Sequence, residues 1–128
     1  MFWALLIPCA FTVLVETLVL LCIKDGKRWL KPQLLCNVIT NPLLHLWLPL
    51  AYMAVTALCG GENAVWNGVA LVCFEIAIVF AEAGIVGIYI KEKYQKRLFY
   101  SVILNATSFV LGLIFANPLD NLIRILIG

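Results

Sequence analysis

The chain has 128 residues, 64% of them apolar and only 12% charged, with a formal net charge of +2. Soluble domains carry about a quarter charged residues, so the composition excludes an ordinary water-soluble fold. Eight of the nine basic residues fall in two short segments, Lys24 to Lys31 and Lys91 to Arg97, a topological pattern that argues against nucleic acid as a partner and for the lipid bilayer.

Four apolar stretches joined by short polar loops predict an all-α, polytopic membrane protein with four transmembrane helices in a single domain covering residues 1–128. The first span is expected over residues 2–23, ending at the charged turn Lys24-Asp25-Gly26-Lys27-Arg28. It begins without a basic residue ahead of the apolar run, so it reads as a retained helix and not as a cleaved signal. The second is expected over residues 32–58, opening at Pro32, where proline is tolerated in a first turn, and ending at Cys59-Gly60-Gly61. Pro42 and Pro49 inside it predict a kink.

The third span is expected over residues 66–90, before the Lys91 to Arg97 segment, and the fourth over residues 98–116. Ala116-Asn117-Pro118 either kinks one long helix or separates off a short tail, in which Asp120 and Arg124 are spaced to pair. The basic loops follow the first and third spans, so the positive-inside rule places them in the cytoplasm and both termini outside it. Trp3, Trp29 and Trp66 fall at predicted span ends, as interfacial anchors do. The five cysteines stand singly, without metal-ligand spacing, and read as small buried hydrophobes.

Two segments read as copies of one hairpin. Val13-Leu14-Val15-Glu16 stands beside Val79-Phe80-Ala81-Glu82, and Asn37-Val38-Ile39-Thr40 stands beside Asn105-Ala106-Thr107-Ser108. The repeat hairpins are expected over residues 2–58 and 66–128, with the same orientation and a pseudo-twofold axis along the membrane normal. At 1.5 Å per residue, the four polar positions lie about 9 to 12 Å inside the cytoplasmic helix ends. They are expected to converge on one layer. Chance recurrence in two similar apolar hairpins is the competing explanation.

Three carboxylates, Glu16, Glu75 and Glu82, fall inside apolar spans with no lysine or arginine in any span to neutralise them. Intramembrane ionisable groups face the bundle interior and mark functional sites more often than not. Glu16, Glu82, Asn37, Asn105, Thr40, Ser108, Asn41 and Glu75 are therefore the candidate ligand-binding residues. His45, Glu75 and Glu82 are a candidate metal set of nitrogen and oxygen ligands, although no H-E-x-x-H or comparable motif surrounds them. The sequence identifies no cofactor. For each Asn, Ser or Thr taken alone, interhelical hydrogen bonding is the simpler role.

Asn41-Pro42-Leu43 and Asn117-Pro118-Leu119 resemble the asparagine-proline pairs of aquaporins, but the chain is far too short for that fold and the copies do not align in the repeat. Ala77, Ala81 and Gly84, with Gly112 and Ala116, predict faces that permit close helix approach, including a homo-oligomer contact.

The stretch Cys36 to Leu44, with the two intramembrane glutamates and Asn105 to Ser108, resembles small prokaryotic four-helix membrane proteins of no assigned activity. That resemblance implies a bacterial inner-membrane location and no mechanism. Signatures of fluoride channels are missing, and beyond a glutamate in the first helix the spans do not follow small multidrug transporters. The expected function is a small transporter or channel subunit binding a cation, proton or small polar solute at the Glu16/Glu82 layer. The competing expectations are an intramembrane metal or acid-base enzyme using His45, Glu75 and Glu82, and a structural or accessory protein.

Overall fold

The computed structural model describes residues 2–127, with side chains from 6 to 126. They form helix α1 (Phe2–Cys22), a 3-10 turn (Gly26–Trp29), α2 (Leu30–Cys59), α3 (Ala64–Tyr89) and α4 (Tyr94–Ile127). The main packing contacts run between α1 and α4, α2 and α3, α3 and α4, and α1 and α2. Three helices are long and apolar enough to cross a membrane, while the described part of α1, Leu6–Cys22, is apolar but shorter. The chain has the make-up of a membrane protein.

Helix ends follow from their capping residues. Asn63 caps α3 by accepting from the Trp66 backbone N–H at 3.2 Å. Gly60 ends α2 in the left-handed conformation, at φ 72°. After α1 the chain reverses through Asp25, also left-handed at φ 68°, and a Cβ on Gly26 would strike the Leu20 carbonyl oxygen. Glycine is required there by the close return of the chain.

Several boundaries differ from expectation. α2 starts at Leu30 because the 3-10 turn leads directly into it. α4 starts at Tyr94, which takes Lys96 and Arg97 out of the loop and into the first helical turns. It also runs unbroken through Pro118, so its 34 residues span about 50 Å. Asp120 and Arg124 form no ion pair among the described residues. The basic segments lie side by side at one end of the bundle, where Glu92 Oε1 meets Arg28 Nη2 at 3.1 Å and Lys96 Nζ at 3.5 Å.

The apolar core occupies that same end. Leu20, Trp29, Cys36, Val86, Ile90 and Leu104 are buried together, with Tyr100 packed against them. Trp29, expected as an interfacial anchor, is 2% exposed and meets Tyr100 edge-on at 4.6 Å between centroids. Trp66 is exposed, and the Trp3 side chain lies outside the described residues. Cys36 is buried as expected, but Cys22, Cys59 and Cys73 are exposed on an outer surface rich in large apolar side chains. Gly84 and Gly112 have open space at their Cβ positions, so neither marks a close approach between helices of this chain. Gly87 does, against the Arg97 guanidinium.

Candidate functional site

Helical spacing brings one polar stripe of α2 to the bundle interior: Gln33, Asn37, Thr40 and Asn41 are all buried. Positions three and four apart share a helix face. α4 contributes Ser101, Asn105 and Ser108 by the same spacing, and α1 and α3 contribute Glu16 and Glu82, which are 1% and 0% exposed. The expected layer is formed, one turn inside the apolar core.

Glu16 accepts from Gln33 Nε2 at 3.0 Å, from Asn37 Nδ2, and from the Ser108 hydroxyl at 3.5 Å. Glu82 accepts from Gln33 Nε2 at 3.2 Å, Thr40 Oγ1 at 3.0 Å, Ser101 Oγ at 3.3 Å and Asn105 Nδ2. Asn41 supports the layer from behind, donating to Asn37 Oδ1 at 3.0 Å. Each glutamate thus meets the asparagine of its own helical hairpin and a hydroxyl from the other. Among the described residues Gln33 is the one donor shared by both carboxylates.

Each of the three hydroxyls stands between a carboxylate and a backbone carbonyl. Thr40 Oγ1 is 2.9 Å from the Cys36 carbonyl, Ser101 Oγ is 2.9 Å from that of Val79, and Ser108 Oγ is 3.1 Å from that of Asn105. A hydroxyl has one proton to donate and two lone pairs to accept with. It can give its proton to an ionised carboxylate, or give it to the carbonyl and accept from a protonated one. The layer is therefore hydrogen-bonded in either charge state.

Above the layer, on the side away from the basic loops, lies a cavity of ≈ 290 Å³ whose lining includes Asn37, Thr40, Asn41, Glu82, Asn105 and Ser108. His45 and Glu75 line it as well. Among the described residues no three His, Cys, Asp or Glu side chains come together as a metal-holding group. His45, Glu75 and Glu82 therefore share a cavity without forming the expected ligand set. The spread follows from their spacing, since Glu75 stands about 10 Å along α3 from Glu82.

Two contributors were not anticipated from sequence. Gln33 adjoins Pro32 and the basic turn, and its signal was the four-residue step to Asn37 on the same face. Arg97 folds back between α3 and α4, donating through Nη1 to the Ala83 carbonyl at 2.9 Å. Its guanidinium stands 5.4 Å from the Tyr94 ring centroid, and its buried Nε has no partner among the described residues.

Comparison with known proteins adds no relative: no family model matches the sequence, and no curated protein or solved structure matches it significantly.

Proposed function

We propose that the chain is a small membrane transporter or channel subunit that binds a proton or small cation at the Glu16/Glu82 layer. The observation that carries the reading is the placement of Thr40, Ser101 and Ser108 between carboxylate and carbonyl. A site that gains and loses a proton must satisfy its hydrogen bonds in both states, because an unpaired buried polar group is costly. The hydrogen-bond partners of both buried carboxylates are all neutral among the described residues, so a proton or a bound cation would offset their charge. Glu82 lines the cavity, which supplies a route to it.

Half-turn rotation of the Asn37, Asn105 and Gln33 amides would present carbonyl oxygens in place of N–H groups, the donor set of a metal cation. A neutral polar solute is less well supported, because the donors of the layer are already engaged by the carboxylates. The hairpins read as parallel repeats on the reciprocal Asn and hydroxyl contacts. In this reading the protein sits in the bacterial inner membrane, with the basic loops cytoplasmic, both termini outside and lipid against the exposed apolar surface.

The test is proton entry into liposomes containing the purified protein, driven by a potassium diffusion potential and read with an internal pH dye. Wild type should conduct above protein-free vesicles, Glu82→Gln and Glu16→Gln should lose most of that flux, and Glu75→Gln should be milder. Flux unchanged in both Glu16→Gln and Glu82→Gln would sink the proposal. The layer also satisfies itself without a ligand, which favours an accessory role fixing helix register as the second reading. That role predicts no flux above lipid alone.

A further inference from the structure

We propose that the cavity above the layer takes a small organic ammonium ion, with Glu75 as its anionic contact; as a statement of cargo class this rests on the transport reading. Glu82 is spent as an acceptor, since four donors already reach its two oxygens. Glu75 stands two turns further along the same face of α3 and lines the same cavity. No hydrogen bond or ion pair reaches it from any described residue. An ionisable group without a partner inside an apolar helix is costly, and a bound cation would offset that cost.

The walls select the kind of cation. Among the described residues no lysine or arginine lines the cavity, while Glu75, Glu82 and Asp120 do, with His45 as the one basic side chain beside them, so ionised carboxylates there concentrate positive ligands. Phe11 and Phe109 contribute rings, and much of the remaining lining is aliphatic. A strongly hydrated inorganic ion would exchange its water for a mostly apolar wall. An ammonium carrying alkyl groups instead sets its charge near Glu75, its substituents against the aliphatic wall, and its face against aromatic rings. At ≈ 290 Å³ the space falls just below the usual range of ligand pockets, about 300 to 1,000 Å³, so the ligand carries only a few carbon atoms.

The experiment is calorimetric titration of the full-length protein in detergent with tetramethylammonium or choline chloride. The controls are 3,3-dimethylbutan-1-ol, the uncharged isostere of choline, and sodium chloride at matched ionic strength. Saturable binding of an ammonium ion but of neither control is expected. Glu75→Gln should weaken that binding by at least about tenfold. Gly112→Leu should abolish it without changing any charge, because Gly112 lines the cavity and its Cβ position is open.

Thermal unfolding establishes that both variants are folded. Absence of saturable ammonium binding by wild type, equal binding of the isostere, or wild-type affinity in Glu75→Gln each overturns the proposal. Proton flux that depends on Glu82 without ammonium binding would overturn the cargo class alone. Ammonium binding without any flux would overturn transport and leave the binding site standing.

Discussion

Thr40 of α2 and Glu82 of α3 meet across the two hairpins, with the threonine hydroxyl 3.0 Å from Glu82 Oε1. Thr40→Val keeps the shape and removes this bond. Interhelical hydrogen bonds in membranes average about 0.6 kcal/mol and reach about 1.7, so the variant should be less stable by an amount in that range. Thr40→Ser should recover most of the loss. Unfolding in mixed micelles measures both, and a cycle with Glu82→Gln should give coupling of the same size. Additivity would mean that the hydroxyl serves only the Cys36 carbonyl.

Among the described residues Gln33 is the sole donor common to both carboxylates, so Gln33→Leu should destabilise more than Thr40→Val. Leaving buried acceptors short of a donor costs about 1 to 3 kcal/mol. The same substitution made in a Glu16→Gln/Glu82→Gln background should cost clearly less, because two amides can donate to each other. Equal losses in the two backgrounds would show that Gln33 acts through packing alone.

Gly87 and Arg97 offer a test of backbone approach. A Cβ at position 87 would collide with the Arg97 guanidinium, and overpacking costs about 1 to 3 kcal/mol. Gly87→Ala should lose about that much by thermal or denaturant unfolding. In an Arg97→Ala background the same change should be nearly neutral, since the obstructing group is a side chain. Gly26→Ala meets the Leu20 backbone oxygen, and no side-chain deletion should relieve it.

The orientation is tested by replacing Lys27 and Lys93 singly with cysteine in a cysteine-free background. Both positions should react with impermeant thiol reagent from the cytoplasmic side only. Labelling exclusively from outside would reverse the topology and place the cavity on the cytoplasmic side of the layer.

Periodicity made the polar layer legible before any coordinates, because Glu16, Glu82, Asn37 and Asn105 interrupt long apolar runs at matched distances from two basic turns. Glu75 broke the same kind of run and was grouped with Glu82 by its seven-residue spacing. Spacing along one helix could not say that only Glu82 is ringed by donors, which depends on how α2 and α4 are set against α3. Gln33 falls at the first turn of the expected second span, four residues before Asn37, and nothing in one helix's spacing says that it reaches carboxylates on two others. Trp29 and Arg97 carried interfacial and topological labels from their loops, yet both pack inward. The extent of α4 was ambiguous because a proline within a long apolar helix permits either continuation or a break.

The division of the layer's contacts bears on the order in which the protein assembles. Asn37 reaches Glu16, and Asn105 and Ser101 reach Glu82, within one pair of consecutive helices; these contacts can form as each pair inserts. The bonds from Thr40 and Gln33 to Glu82, and from Ser108 to Glu16, exist only after the two pairs have docked in register. A slip of one residue on either helix would turn these donors away while leaving the apolar surfaces nearly as well matched as before. Docking out of register would therefore forfeit bonds worth about 0.6 kcal/mol each, a penalty that apolar packing alone would not impose.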